Sequence, residues 1–316
     1  MSRAAVVKAV ICTRYGPPEV LRLAEVETPE PRPGQVRIRI RATAVTASDC
    51  LVRGLKVPFR YRLLLRLLFG WRAPRRPILG MVLAGEIDSL GRNVSAFKPG
   101  DQVFGLTQRS FGTYAQYVCW PADGILAARP GNLTFEEAAA LPYGGLIALF
   151  FIRRADIKAG QHVLVYGASG AIGTAAVQLI RQRGARVTGV CSTANVQLVE
   201  SLGASAVIDY TREDFTRGPE RYDVIFDAVG RRKSAQALVD AQRALAPGGK
   251  VISVDDAFPR LLPADIVVLE ELAESGALKP VIDRTYPLEE MVEAHRYVDG
   301  GHKKGNVVVT VDHSSE

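Results

Sequence analysis

A glycine-rich turn, GASGAIG at Gly167–Gly173, has the clearest chemical potential in this sequence. It directly follows the apolar run HVLVY and directly precedes TAAVQLIRQRG, whose apolar residues recur at helical spacing. Glycines at such a strand-to-helix turn let backbone N–H groups approach a diphosphate, whose charge the helix N-terminus favours. In this βαβ setting the motif is specific for a dinucleotide. We expect the diphosphate to contact Gly167, Gly170, Ala171, Ile172 and Gly173.

The end of the next predicted strand decides between NADH and NADPH. An NADH site has an Asp or Glu there, about 20 residues past the glycines, to bind the ribose hydroxyls. This chain has CSTAN at 191–195, and the first acid that follows along the sequence is Glu200. We therefore predict NADPH, with NADH the less favoured coenzyme. The residues expected around its adenosine 2′-phosphate and adenine are Ser192, Thr193, Asn195, Tyr210 and Arg212.

The periodicity of the chain predicts two domains, which its length of 316 residues allows. Strands and turns dominate up to about residue 120, and VRIRIRATAV alternates apolar and basic residues as a half-exposed strand does. Short apolar strands then alternate with helices closed by glycine, which predicts a parallel sheet covered on both faces. We predict a β-rich domain over 1–123, with 277–316 packing back on it, and an α/β doubly wound domain over 124–276.

Composition and charge indicate a folded globular protein and exclude several partners. The formal net charge of +7 gives a mildly basic surface, and outside residues 59–76 the basic residues form no arm or stripe that would bind nucleic acid. The four cysteines are far apart in the sequence, as in a reduced cytosolic protein. The N-terminus lacks a signal-peptide core, and no apolar run approaches the roughly 20 residues that span a bilayer. We expect a cytoplasmic protein.

Several further motifs occur in a fixed order along the chain, and through them it resembles the medium-chain dehydrogenase/reductase superfamily over nearly its whole length. They are GMVLAGEIDSLGRNVSAFKPGDQV (80–103), GTYAQYV (112–118), EEAAALPYGGL (136–146), GASGAIG (167–173), LGASAVIDY (202–210), FDAVG (226–230) and APGGK (246–250). The resemblance implies a GroES-like catalytic domain, a Rossmann domain, and a cleft between them that holds nicotinamide and substrate.

Within that superfamily the chain is similar to the zinc-independent quinone oxidoreductases, the zeta-crystallin-like branch. Where the zinc-dependent alcohol dehydrogenases have a Cys in CxxD and a His in GHE, this chain has Thr46 in TASD and Met81 in GMV. AALPYGGLIAL lacks the third ligand, a Cys, and the closely spaced cysteines of a structural zinc site are missing too. Zinc requires thiolate, imidazole or carboxylate ligands, so we expect no metal.

The resemblance implies an oxidoreductase that passes hydride from NADPH to an electron-poor acceptor, a quinone or an α,β-unsaturated carbonyl. It places Thr46 and Asn306 beside the nicotinamide, with the backbones of Val229, Ser253 and Val254 along its ribose or carboxamide. Tyr143 is the candidate proton donor, and a packing role is as well supported by the sequence. Asp49 and His295 are expected to be structural.

Two other functions remain open on the sequence. The first is an alcohol or enoyl-thioester reductase of the same fold, since the arginines of residues 60–76 would suit the phosphates of a thioester carrier. The second is a non-enzymatic or membrane-associated protein that only binds NADPH. Ile147, where relatives carry a Thr, favours the second.

The segment FRYRLLLRLLFGWRAPRR, residues 59–76, departs from the family pattern because it is dense in Leu, aromatic residues and Arg. An amphipathic helix over the active site would give a hydrophobic substrate pocket near Phe59, Leu63, Leu67 and Trp71. A basic helix with an apolar face would instead make a weak contact with a membrane surface.

The chain is also short after Val254, where relatives have a further strand and helix. About 30–40 residues are missing relative to a six-stranded Rossmann sheet. The fifth strand then becomes an edge, and exposed edges must be covered or paired. We therefore expect the usual family dimer to be weakened or rearranged, and a tight ordinary dimer in light scattering would contradict this.

Overall fold

The computed structural model describes residues 5–55, 59–108 and 110–313. The strands are β1 (Val6–Cys12), β2 (Leu21–Glu27), β3 (Gln35–Val45), β4 (Val82–Leu90), β5 (Gln102–Leu106), β6 (Tyr117–Pro121), β7 (Leu126–Ala128), β8 (His162–Tyr166), β9 (Arg186–Cys191), β10 (Ala206–Asp209), β11 (Tyr222–Asp227), β12 (Leu245–Ser253), β13 (Ile282–Pro287) and β14 (Asn306–Thr310). The α-helices are α1 (Ala47–Gly54), α2 (Phe59–Phe69), α3 (Phe135–Ala140), α4 (Pro142–Arg154), α5 (Ala171–Gln182), α6 (Val196–Ser201), α7 (Arg231–Ala241), α8 (Pro263–Glu274) and α9 (Met291–Asp299).

The chain divides into two compact units. The first unit joins Met1–Pro142 to Ile282–Glu316, and the second is the continuous stretch Tyr143–Val281. Residues 124–142, which the sequence analysis assigns to the α/β half, lie in the first unit. They do so because β7 pairs with β5 and α3 packs on β3.

The second unit is built on a parallel sheet with the strand order β10-β9-β8-β11-β12. Numbered within the unit, this order is 3-2-1-4-5, the doubly wound arrangement whose first crossover follows β8. Val163, Leu164 and Val165 in β8 are completely buried, as expected for a central strand covered on both faces. The α/β Rossmann prediction is confirmed.

The sheet of the second unit ends at β12. All residues of this unit are described, and its sheet has five strands, as the shortened sequence after Val254 predicts. Within the described chain β12 pairs with β11 alone, so its other side is an edge. The weakened dimer stays a prediction.

The first unit is the β-rich one. Its main sheet has the order β13-β14-β3-β4-β5-β7, with β6 also pairing with β3, while β1 and β2 form a separate antiparallel ribbon. The alternation predicted for β3 is present, because Ile38 and Ile40 are fully buried and Arg37 and Arg39 only partly so. The predicted GroES-like β-rich domain is confirmed, although β13 was not predicted.

Helices α3 and α4 together are long and apolar enough to cross a membrane, contrary to the sequence expectation that no run comes close. The segment is Phe135–Arg154, and 67 % of its most apolar stretch is buried inside the protein. Core helices of globular proteins meet the same length and composition, so this segment is weak support for a membrane span.

Candidate functional site

The glycine turn of the second unit has a backbone that only glycine permits. Gly167 has φ +79°, in the left-handed region that side chains disfavour. A Cβ on Gly173 would lie 2.1 Å from the carbonyl oxygen of Gly167 and 2.8 Å from two backbone atoms of Ala168. The start of α5 therefore packs directly on the turn that leaves β8. This is the cradle that a dinucleotide diphosphate requires.

Helix α5 begins at the same turn. Gly170 is its N-cap, and the carbonyl of Gly170 accepts the N–H of Thr174 at 2.8 Å. The amides of Ala171, Ile172 and Gly173 precede the first residue that can bond within the helix, so they are donors for an anion. All five predicted diphosphate residues are thus brought together, and they fit that group.

The end of β9 contributes the next polar cluster. The side-chain amide of Asn195 donates to the hydroxyl oxygens of Ser169 at 3.2 Å and Ser192 at 3.1 Å. Ser169 belongs to the glycine turn, so this contact ties the end of β9 to the diphosphate cradle. Two residues predicted near the adenosine ribose, Ser192 and Asn195, therefore lie together.

Asp209 corrects the expectation that no carboxylate stands at the end of β9. Strand β10 pairs in parallel with β9, with Asp209 opposite Cys191. The Thr193 hydroxyl donates to Oδ2 of Asp209 at 2.5 Å, and the Thr211 hydroxyl donates to Oδ1 at 2.7 Å. These bonds, Thr193 first, hold the pKa of Asp209 below its ordinary value. The acid comes from the neighbouring strand, so a search along the sequence missed it.

The two other residues expected near the adenosine end flank this acid. Arg212 lies with its Nε 3.6 Å from Oδ2 of Asp209, and its side chain is largely exposed. Tyr210 is also exposed, and its backbone N–H is held by the carbonyl of Cys191 at 3.1 Å. Both side chains are available to a ligand at this edge.

Asp227, at the end of β11, organises the loops expected along the nicotinamide. Its completely buried carboxylate accepts the backbone N–H groups of Val229 at 3.0 Å and Gly230 at 3.1 Å. It also accepts the hydroxyls of Ser234 at 2.8 Å and Ser253 at 2.7 Å. No role for Asp227 is expected from the sequence, although its place at the end of a buried apolar strand is a signal that could have indicated one.

This network limits which backbone groups of the predicted nicotinamide site can bind a ligand. The N–H of Val229 is bonded to Asp227, that of Ser253 to Asp256 at 2.8 Å, and that of Val254 to the carbonyl of Asp227 at 3.1 Å. Their N–H groups are therefore engaged within the protein. Carbonyl oxygens, each with a second lone pair, are the groups left there to accept from a carboxamide.

In the first unit, Thr46 and Asp49 form a reciprocal capping box at the start of α1. The backbone N–H and the hydroxyl of Thr46 donate to Oδ2 of Asp49 at 2.9 and 2.6 Å, and the N–H of Asp49 donates back to Thr46 at 3.2 Å. The N–H of Gly80 adds a bond to Oδ1 at 3.2 Å. Burial nevertheless raises the pKa of Asp49 to about 6.

A buried polar chain leads from Asp49 to α9. The Tyr114 hydroxyl bonds Asp49, and Nε2 of His295 lies 3.2 Å from that hydroxyl. Arg53, itself paired with Asp299 at 2.6 Å, places its Nη1 3.3 Å from Nδ1 of His295. A guanidinium only donates, so Nδ1 accepts and the proton is assigned to Nε2. Burial first, and the charge of Arg53 second, lower the pKa of His295 to about 3, which makes it a neutral structural group.

The other predicted residues lie as follows. Tyr143 is half-buried near the start of α4, and Asn306 is buried at the start of β14. Leu63, Leu67 and Trp71 are each more than half exposed, and the side chain of Phe59 lies outside the described part of the chain. Across residues 5–55, 59–108 and 110–313, no three His, Cys, Asp or Glu side chains are grouped so that they could hold a metal ion.

The sequence matches three family descriptions along its length. Residues 32–130 match the alcohol dehydrogenase GroES-like domain, and residues 171–261 and 256–309 match families described as zinc-binding dehydrogenase. At two positions where the resemblance places zinc ligands, this chain has Thr46 and Met81.

Individual relatives cover nearly the whole chain. The chain is 32% identical to a quinone oxidoreductase of Lama guanicoe, over 94% of this chain and 94% of the relative. It is 30% identical to the chloroplastic NADPH-dependent alkenal/one oxidoreductase of Arabidopsis thaliana, over 96% of this chain and 79% of the relative. The solved structure of a quinone oxidoreductase from Coxiella burnetii superposes with a TM-score of 0.83 at 28% identity, over 98% of this chain and 100% of that one.

Proposed function

This chain is an oxidoreductase of the medium-chain dehydrogenase/reductase superfamily, in its quinone oxidoreductase-like branch, and we propose that it passes hydride from NADPH to a quinone or an α,β-unsaturated carbonyl without a metal ion. The observation that carries the proposal is the glycine cradle, where a Cβ on Gly173 would overlap the Gly167 carbonyl. Bound there, the reduced coenzyme would supply the hydride, and the chain's residues would bind and orient it.

The diphosphate would lie on the first amides of α5. These N–H groups and the helix dipole favour a dianion without any basic side chain. Gly144 in α4 supports the position of α5, because a Cβ on it would lie 2.2 Å from the carbonyl oxygen of Ala171. Asp227 would keep the β11 and β12 loops together so that their carbonyls face the carboxamide.

At the adenosine end, the hydrogen bonds that Asp209 already accepts favour NADPH over NADH. The two oxygens of Asp209 already accept bonds from Thr193 and Thr211, and Arg212 offsets its charge. A carboxylate with both oxygens already bonded is a weaker acceptor for the two ribose hydroxyls of NADH. Arg212 and the Ser192 hydroxyl would bind the 2′-phosphate of NADPH, and Asn195, which donates to Ser169 and Ser192, would hold Ser192 in place.

We expect Arg212→Ala to weaken NADPH binding about 5- to 10-fold and to leave NADH binding unchanged, because only NADPH places a phosphate near this guanidinium. Asp209→Asn should tighten NADPH binding by removing a nearby negative charge. Both dissociation constants are measured by fluorescence titration. Arg217→Ala is the matched control, since Arg217 is an exposed arginine in a similar pair with Asp214. Equal losses for both coenzymes in Arg212→Ala would contradict the assignment.

The acceptor class follows from the residues present at the zinc-ligand positions. Thr46 and Met81 cannot hold a Lewis acid that polarises an ordinary carbonyl. Electron-poor acceptors need no such help: a quinone takes the hydride and a proton to give a hydroquinone, and an enone takes them to give a saturated ketone. The Thr46 hydroxyl donates to Asp49, so a lone pair on its oxygen stays available as an acceptor.

The proposal is tested by following NADPH oxidation optically with a panel of quinones, enones and aldehydes. We expect turnover with quinones and enones and little with aldehydes. Tyr143→Phe should lower enone turnover by about 100-fold if Tyr143 donates the proton, and leave it unchanged if Tyr143 only packs. Folded protein that binds neither coenzyme, or that contains stoichiometric zinc by elemental analysis, would refute the proposal.

We propose that this reaction takes place in a reducing compartment such as the cytoplasm. Cys12, Cys50, Cys119 and Cys191 are free thiols, which such a compartment preserves.

A further inference from the structure

Helix α2 turns a leucine face outward. Leu63, Leu64, Leu67 and Leu68 are 53–59% exposed, and Trp71, just beyond the helix, is 57% exposed. Residues spaced by four lie above one another on a helix, so these leucines form one continuous apolar strip. Scattered apolar residues on a surface are ordinary, but a contiguous strip of four leucines and a tryptophan indicates an interaction site.

Contacts on the other side of α2 hold this face outward. Phe69 packs on the core of the first unit, with its ring 5.9 Å from that of Phe111. Beyond the helix, the Tyr15 hydroxyl donates to the carbonyl of Gly70 at 2.8 Å, and Arg76 donates to the carbonyl of Ser110 at 2.7 Å. The helix is thus fixed at its C-terminal end with the leucines directed away from the core.

The same segment is strongly and uniformly basic. Residues 59–76 contain six arginines and no acid. Five of these arginines are exposed, namely Arg62, Arg66, Arg72, Arg75 and Arg76. Arg66 also lies over the Trp71 ring, 5.9 Å from its centroid, so a cation adjoins the exposed aromatic group.

We propose that the leucine face of α2 docks the protein on a bilayer that displays anionic headgroups. The leucines and Trp71 would enter the boundary between headgroups and acyl chains, while the flanking arginines would bind lipid phosphates. A second copy of this chain fits less well, because it would bring two sets of arginines together without an acid in the segment to balance them. The proposal does not depend on the proposed reaction, because docking concerns the resting protein.

Vesicle binding measures docking directly. With the wild-type chain and no coenzyme, we expect co-sedimentation with phosphatidylcholine/phosphatidylglycerol vesicles at low salt, weaker binding at high salt, and little binding to pure phosphatidylcholine. Trp71 and Trp120 are the two tryptophans, and Trp120 is only 3% exposed. A blue shift of emission on vesicle addition, absent in Trp71→Phe, would therefore report insertion of Trp71.

Variants separate the apolar and basic contributions. Leu64→Ser/Leu68→Ser should weaken partitioning about 10- to 100-fold, because two leucines no longer leave water. Arg62→Gln/Arg66→Gln should weaken it about 20- to 30-fold, at about fivefold for each charge. Matched controls are Leu23→Ser/Val239→Ser and Arg22→Gln/Arg92→Gln, which alter exposed residues outside the segment. Both controls should bind as the wild type does.

Three results would overturn docking on a bilayer. The first is no sedimentation with anionic vesicles at either salt concentration. The second is wild-type binding by Leu64→Ser/Leu68→Ser. The third is self-association in vesicle-free buffer that this same variant abolishes, which would assign the leucine face to a second copy of the chain.

Discussion

Replacing Gly173 by alanine is expected to lower the affinity for the reduced coenzyme by about 100-fold or more. The added Cβ would lie 2.1 Å from the Gly167 carbonyl oxygen and 2.8 Å from the Ala168 backbone, neither of which is a flexible side chain. Helix α5 must therefore move away from the turn, and losing two hydrogen bonds to a charged diphosphate, at about 1.5 kcal/mol or more each, corresponds to about 100-fold. Isothermal titration with NADPH measures the loss, and circular dichroism checks that the second unit remains folded.

A graded series identifies the cause of that loss. Gly167→Ala should have a smaller effect, because the first atom its Cβ meets is the side-chain Cγ2 of Val229, although φ +79° adds strain. Gly218→Ala is the control in the same unit, since its nearest neighbour would be 4.0 Å away. If Gly173→Ala bound NADPH as Gly218→Ala does, the amides of α5 would not be the diphosphate site.

Replacing His295 by glutamine is expected to change how the stability of the first unit depends on pH. The pKa of His295 is about 3 in the folded chain and about 6.5 when unfolded, so the unfolded state takes up the proton as pH falls below 6.5. In the wild type this proton uptake lowers the free energy of unfolding by about 2 kcal/mol between pH 7 and pH 5. The variant lacks the imidazole and therefore lacks this effect. Comparing the free energies of unfolding at pH 5 and pH 7 within each protein cancels any loss of stability that the substitution causes equally at both pH values.

Asp49 acts in the opposite direction. Its folded pKa of about 6 lies above the ordinary value of 3.8, so the stability it contributes is full below pH 3.8 and is lost as pH rises through 6. Between these limits it offsets His295, and His295→Gln should therefore become less stable as pH rises from 5 to 7. Urea unfolding followed by tryptophan fluorescence reports on the correct unit, because Trp71 and Trp120 both lie in it.

His302→Gln is the control for that measurement. His302 is exposed on the same unit, so this variant tests whether the loss of any imidazole has the effect expected of His295→Gln. An identical pH dependence in His295→Gln would show that His295 is not held neutral by its buried surroundings.

The sequence predicts those parts of the fold and site that depend on local pattern. The glycine cradle was predictable because Gly167 and Gly173 satisfy steric demands within seven residues. Strands β8 and β9 were predictable because each is a short, mostly apolar run next to a segment of helical periodicity. By contrast β13 reads IDRTYP, a mostly polar run at the edge of its sheet, and only its pairing with β14 identifies it.

The unpredicted features depend on residues that are distant along the chain. Asp209 meets Thr193 only because β10 lies beside β9, and Asp227 gathers donors as far away as Ser253. Leucine periodicity in α2 predicts an amphipathic helix and not the direction of its apolar face. Contacts of Phe69 and Gly70 decide that direction.

The discontinuous make-up of the first unit has a consequence for biosynthesis. Strand β14, residues 306–310, pairs with β3 on one side and β13 on the other, so an interior place in that sheet is filled by a strand that is synthesised only after the whole second unit. The uninterrupted second unit can fold while translation continues, whereas β3 waits for a partner strand that follows that unit in the chain. A chain terminated before residue 306 would leave part of β3 with unpaired backbone N–H and C=O groups. Such an open edge binds chaperones or pairs with other chains and aggregates.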